Sequence, residues 1–424
     1  MMLASPVTRV LKSFTDFSIA PLKGYTEIAQ KPEFSFSSFF DGSWQAAYDN
    51  YLEDHIGLRN IFVRLYNQID YSLFRIAHAA VIVGKNHHLY EENYIKAYTG
   101  TDFLGDSAIK AKVHKIKSVQ EYLRQKNTDL IVILAPGKAS FFPGMIPDRY
   151  MKHDIGITNN EAYLSAFKEN GINHIDFNSL FIEMKDTSSY PLYHRCGIHW
   201  SIYGAQLALD SIISYIEALR QIDMVDMQIA RFEVSEVPRQ TDYDVGDALN
   251  LIFRIPYKPM AYPYNYSFIE EGKTKPGLLV VADSYYWTLY NMAPNRYLWG
   301  RNEFRFYNNM AFSPGKPSTE LCDNNIEELS SFDVIMVIYT EANMTKFANG
   351  LFEQAFLSMK YRDRLETIKQ NIRNTPEWLE QVAGKAEKNN VSIEQMIRID
   401  ALWTLNETIK KENNNSINHS SDGI

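Results

Sequence analysis

The chain has 424 residues and a formal net charge of −8, which excludes a broad cationic surface of the kind that binds nucleic acid by counterion release. Hydrophobic residues make up 45%, enough for a large α/β core with an appended module, or for two domains. Cys196 and Cys322 are the only cysteines, so a disulfide scaffold and a four-cysteine zinc site are excluded and at most one bridge remains.

Residues 1–44 read as an N-terminal extension. Its opening "MMLASPVTRVLKSFTDF" makes a poor signal peptide, and it holds no apolar run near the ~20 residues needed to cross a bilayer. From Gln45 to Phe74 apolar residues recur at helical spacing, with Leu65, Ile69 and Leu73 on one stripe and Gly57 as a break, predicting helix, break, helix. "AVIVG" (80–84) predicts a short buried strand, and a helix follows over about 106–126. "DLIVILAP" (129–136) is a continuous β-branched apolar run ending at Pro136, as expected of a parallel strand covered on both faces. A helix near 158–170, a strand at "INHIDF" and a strong helical pattern over 201–219 continue the alternation.

The stretch 221–275 breaks that pattern. "RIPYKPMAYPYNYSF" places Tyr257, Tyr262, Tyr264 and Tyr266 among prolines, which predicts an irregular crossing packed by its own rings, or a lip on which sugar faces stack. Two further strands are expected in "PGLLVVADSYY" (276–286) and "DVIMVIYTEAN" (333–343). Beyond residue 350 the texture becomes charged helix, with Thr375-Pro376 and Ser392…Gln395 as start signals, and the polar end "KKENNNSINHSSDGI" predicts disorder. The expected organisation is therefore an α/β domain over 45–350, a helical appendix over 351–412 and a disordered tail over 413–424. Strands alternating with helices predict a mostly parallel sheet flanked by helices, with the site at the carboxyl ends of its strands. The ten histidines show no metal-ligand spacing, and no cofactor is expected.

Two residues stand where chemistry is expected. Ser284 closes the buried "VVAD" run, where a hydroxyl and its own backbone N–H would reach the mouth of the sheet, and His199 sits at a polar junction before a helix. The alternatives are a helix N-cap for Ser284 and a structural histidine beside Trp200 for His199.

"DSYY" after an apolar strand, preceded about 85 residues earlier by "GIHWSIYGA", resembles the SGNH-hydrolase-like domain of alginate O-acetylation proteins of the AlgJ/AlgX kind. In that family the nucleophile motif follows the histidine motif, the reverse of ordinary SGNH esterases. "FFDGSWQAAYDNYLEDHIGLRN", "VIVGKNHHLY" and "VILAPGKASFFP" resemble further family segments in the expected order, so the likeness spans roughly residues 35–350. The resemblance implies that Ser284 accepts an acetyl group with His199 as its base, on a polysaccharide substrate. It further implies an acetyl donor supplied through a membrane-bound O-acyltransferase and an extracytoplasmic location, periplasmic or membrane-anchored. A polysaccharide-binding scaffold and a carbohydrate esterase are the alternatives. Lys138 matches the family's lysine, and with Trp200 and Tyr203 it is a candidate substrate contact; Asn343 is a candidate oxyanion support.

One departure is prominent. Where the family carries aspartate two residues before its histidine, this chain has Gly197. Three accounts follow: another carboxylate, such as Asp176, Asp283 or Glu341, reaches His199 in space; the pair works slowly as a dyad; or the protein only binds polymer. In the serine-protease template corrupting this acid costs about 10⁴-fold in rate, roughly 5.5 kcal/mol.

Overall fold

The computed structural model describes residues 20–24, 28–55, 58–152 and 155–421, with side chains to residue 412. Its strands in chain order are β1 (Val81–Val83), β2 (Leu89–Glu91), β3 (Asp129–Ala135), β4 (His174–Asp176), β5 (Asp226–Ser235), β6 (Met260–Ile269), β7 (Leu278–Ala282), β8 (Asn302–Phe306), β9 (Met310–Phe312) and β10 (Val334–Thr340). Six of them form one sheet in the order β4-β3-β10-β7-β8-β9. Only β9 runs antiparallel to its neighbour. The mixed α/β fold with a mostly parallel central sheet flanked by helices is thus the architecture expected from the alternation.

The two central strands show why the apolar runs carry no polar interruption. Along β3, Ile131, Ile133 and Ala135 enter one core while Leu130, Val132 and Leu134 enter the other. Along β10, Val334, Met336 and Ile338 alternate in the same way with Ile335, Val337 and Tyr339. A strand buried on both faces has to be apolar at every position, because successive side chains point to opposite sides. The first core is covered by helix Ile202–Arg220, the second by helices Asp106–Gln125 and Leu351–Lys360. Local signals hold at helix starts: Thr158 closes a reciprocal capping box with Glu161, and the Ser201 hydroxyl accepts from the Gly204 N–H.

The stretch expected to be irregular contains an antiparallel ribbon, β5 with β6, registered from Asp226 opposite Ile269 to Ser235 opposite Met260. Pro263 is tolerated because a two-stranded ribbon demands no hydrogen bonds along its outer edges. The hydroxyls of Tyr257 and Tyr266 donate to Glu236 O and Gln206 Oε1, and that of Tyr262 accepts from the Arg239 N–H, so these rings are bonded into the protein. Val81–Val83 pairs with Leu89–Glu91 in a separate hairpin rather than joining the central sheet.

After residue 360 the helices Arg362–Asn374, Pro376–Lys388 and Ile393–Ser421 share their own apolar cluster, with Leu365, Ile372, Val382, Ile397 and Leu405 at its centre. Arg398 ties this cluster to the α/β body through Asp323 and Glu328, at 2.8 and 3.0 Å. The last helix carries the backbone to Ser421, through most of the stretch expected as a disordered tail, and 422–424 lie outside the described residues. Both cysteines are free thiols. No helix among the described residues is long and apolar enough to cross a membrane.

Candidate active site

β7 ends at Ala282 with every residue buried, and the next two residues turn out of the sheet. Asp283 fixes that turn. Its Oδ1 accepts from the Tyr285 N–H at 3.0 Å, and its Oδ2 accepts from the Thr340 N–H at 2.9 Å, the Thr340 hydroxyl at 3.0 Å and Asn343 Nδ2 at 2.9 Å. Asp283 therefore welds the ends of neighbouring β7 and β10, and Ser284 is presented beyond them. The following helix, Tyr286–Asn291, receives no side-chain cap. Ser284 Oγ lies instead 2.9 Å from His199 Nε2.

His199 is positioned by a loop held from three sides. The Leu89 N–H donates to Arg195 O at 2.9 Å, and the Tyr285 hydroxyl donates to Ile198 O at 2.7 Å. Lys138, wholly buried at the end of β3, donates to the carbonyls of Arg195 and Gly197. Burial disfavours the ammonium and lowers the Lys138 pKa to about 8, against the opposing pull of nearby acidic groups. Trp200 packs edge-on against Phe177 and tilted against Phe181 and Tyr285, which anchors the residue next to His199 in the core.

The acid behind the imidazole is Asp244, a residue the sequence reading did not single out. Its Oδ2 lies 2.6 Å from His199 Nδ1. Its Oδ1 accepts from the Ile198 N–H at 3.1 Å and the Val245 N–H at 2.7 Å. With the Nδ1–H donated to Asp244, the Nε2 lone pair faces the Ser284 hydroxyl, the arrangement a general base requires. Burial opposes a charge on His199, but the Asp244 hydrogen bond and carboxylate charge outweigh it, and the imidazole pKa is raised above its ordinary value.

Gly197 explains how Asp244 arrives. A Cβ at position 197 would lie 2.8 Å from Asp242 O and 2.9 Å from Thr241 O, distances that real Cβ atoms do not adopt. The glycine lets the 241–244 backbone lie directly on the histidine loop.

The other carboxylates weighed for this role are engaged elsewhere, which corrects that expectation. Asp176 caps helix Phe177–Met184 through the Ser179 N–H at 3.1 Å. Asp283 holds the strand ends. Glu341 is buried with Ser140 and Asn178 as its donors, and burial lifts its carboxyl to about 7 despite them. The candidate substrate contacts are corrected likewise: Lys138 and Trp200 are fully buried, and Tyr203 is buried between Tyr190 and Phe232. Asn343 does reach the site, lining it beside Ser284.

The cavity over the triad measures 250 Å³ and is lined by His199, Asp244 and Ser284 together with Glu91, Tyr94 and Tyr307. Tyr307 and Glu91 were also missed from sequence. Tyr307 sits just past β8 with φ 48°, a left-handed conformation that costs a non-glycine residue about 1 kcal/mol or more. A larger cavity of 490 Å³, lined by Phe142, Lys185, His194 and Tyr257 among others, shares no residue with this one and holds none of the triad.

Residues 81–274 match the family model described as SGNH hydrolase-like domain, acetyltransferase AlgX. The match ends before Ser284. A probable alginate O-acetylase AlgJ of Pseudomonas aeruginosa is 21% identical over 57% of this chain and 57% of its own length, so the chain spans little more than half of that relative. Among solved structures, the O-acetyltransferase domain of Pseudomonas putida AlgJ aligns with a TM-score of 0.42 and 12% identity, over 64% of this chain and 98% of that one. Pseudomonas aeruginosa AlgX aligns with a TM-score of 0.41 and 13% identity, over 64% and 67%. The likeness over residues 81–274 is to an AlgJ/AlgX-like SGNH hydrolase-like domain.

Proposed function

We propose that the protein O-acetylates a polysaccharide through an acetyl ester on Ser284. The observation that carries the reading is the single imidazole of His199 bridging Asp244 at 2.6 Å and Ser284 at 2.9 Å, beyond the carboxyl ends of parallel strands. The names of the relatives, an alginate O-acetylase and an O-acetyltransferase domain, support the reaction class.

In the first half-reaction His199 Nε2 takes the Ser284 hydroxyl proton as Oγ attacks the acetyl carbonyl carbon. The tetrahedral oxyanion is met by the Ser284 backbone N–H, with the hydroxyl of Tyr307, which lines the cavity, as a further donor, while Asn343 Nδ2 is held by Asp283 Oδ2. The intermediate collapses, the donor oxygen leaves with the proton from His199, and acetyl-Ser284 remains. A sugar hydroxyl then gives its proton to His199, attacks the ester carbonyl and departs acetylated, while Oγ regains the proton. Asp244 holds the Nδ1–H tautomer and stabilises the imidazolium formed at each step.

The reading places the protein outside the cytoplasm, on a cell-surface or secreted polysaccharide, with the acetyl group delivered through a membrane-bound O-acyltransferase. Hydrolysis of p-nitrophenyl acetate, followed by intact mass, tests it. An acetyl adduct present in the wild type and absent in Ser284→Ala and His199→Ala is the expected result. Equal behaviour of the three folded proteins would overturn it in favour of a polysaccharide-binding scaffold.

A further inference from the structure

The charge of the cavity says which sugars fit it. Glu91 closes β2 with its side chain half-buried in the cavity wall, and no hydrogen-bond partner for its carboxylate occurs among the described residues. Asp244 is the second carboxylate in the lining, and none of the lining residues is lysine or arginine. The nearest buried cation, Lys138, turns its ammonium to the carbonyls of Arg195 and Gly197. The remaining wall is Val81, Val245, Ala248, Ala79 and Ile198, with the rings of Tyr94 and Tyr307 and the uncharged amides of Asn93 and Asn343. It suits the apolar C–H face of a pyranose.

Resting on the acetyl-transfer reading, we propose that the acceptor is a sugar without a carboxylate, neutral or amine-bearing, and that Glu91 sets this choice by accepting a hydrogen bond from its hydroxyl or ammonium group. A uronate entering here would bring its charge against Glu91 and Asp244 in a partly dehydrated space whose wall carries no lysine or arginine. Like charges so placed are a strong means of rejecting the wrong partner. The raised pKa of Glu91, caused first by burial and next by the Asp244 charge and opposed by His199 and Lys138, agrees with a site already rich in negative charge.

The test uses the full chain and three pentasaccharides of equal length: N-acetylglucosamine, glucosamine and mannuronate oligomers. Binding is read by titration calorimetry, independent of turnover. The neutral and cationic oligomers are expected to bind at least ~10-fold more tightly than the mannuronate oligomer, and Glu91→Gln is expected to narrow that gap severalfold. Ala248→Lys, which adds a cation to the same wall, should improve mannuronate binding. Equal or tighter mannuronate binding by the wild type, an unchanged gap in Glu91→Gln with its melting temperature intact, or no binding of any oligomer would each overturn the proposal. Absence of an acetyl adduct on Ser284 would instead remove the acetyl-transfer reading, while the binding series still decides the charge preference.

Discussion

The carboxyl edge of the central sheet and the short helical segment Gln240–Ala248 both bring acids toward the site, and only the second reaches His199. At the sheet edge Asp283 and Glu341 are consumed by structure: one ties β7 to β10, the other is locked between Ser140 and Asn178. Asp244, on a segment without strand structure, spends one oxygen on the local backbone and offers the other to the imidazole. Strand ends are where such sites are sought, because backbone groups and loops converge there. They supply a rigid place for the nucleophile, while a short helical segment packed on a glycine supplies the acid.

The contrast can be broken most forcibly at the nucleophile. Ser284→Ala should lower ester cleavage by up to about 10⁶-fold, the scale for losing the nucleophile of a triad, with the melting temperature preserved. Next is the acid: Asp244→Asn should cost about 10⁴-fold in kcat, whereas Glu341→Gln should leave kcat near the wild-type value. Equal losses in the two variants would erase the distinction between the regions.

The pH profile sharpens it. Neutral His199 is the base, so activity falls as pH drops through its pKa, and the carboxylate of Asp244 places that limb above the ordinary histidine value. Asp244→Asn should move the limb to lower pH in whatever activity remains, because burial is then opposed only by the smaller charge effects of Asp283 and Glu91. A limb that stays in place would show that Asp244 does not set it.

Gly197→Ala probes the contact that joins the two regions. Its Cβ would press on the carbonyls of Thr241 and Asp242, costing about 1–3 kcal/mol in unfolding experiments and lowering kcat by moving Asp244 away. Gly197→Asp meets the same clash, so it should fail to restore Asp244→Ala. A stable and active Gly197→Asp, Asp244→Ala protein would show that the acid is free to sit in either place.

The effect furthest from catalysis is one of stability alone. The Glu341 carboxyl is raised from 4.5 to about 7 in the folded protein, so between those values the native state holds a proton the unfolded chain has released. Stability conferred by the protonated form is complete below the lower value and lost as pH rises through the upper one, on the order of 3 kcal/mol. Denaturation of Glu341→Gln between pH 4.5 and 8 should show a flatter dependence than the wild type.

Much of the fold was legible because burial on both faces forces apolar continuity: β3, β7 and β10 are readable as runs, the first stopped by Pro136 and the other two closing on polar residues. Ser284 and His199 were readable for the same reason, one ending such a run and the other preceding a strongly patterned helix. The ribbon of β5 and β6 was hidden by its prolines, which signal breaks in a sheet interior but are harmless in an isolated pair. Lys138 and Trp200 were misjudged as substrate contacts, since a residue's type does not disclose whether its neighbours bury it.

What the sequence by itself determined is the alternation of apolar strands with patterned helices, for local periodicity and strand termination are written in nearest neighbours, while the pairing of Ser284 with His199 came from the resemblance to alginate O-acetylation proteins. What only the tertiary structure decided is the acid. Asp244 lies 45 positions from His199, and no spacing rule relates them. Their meeting depends on the backbone at 241–244 lying against Gly197, a contact possible only because the glycine has no side chain to hold the two segments apart.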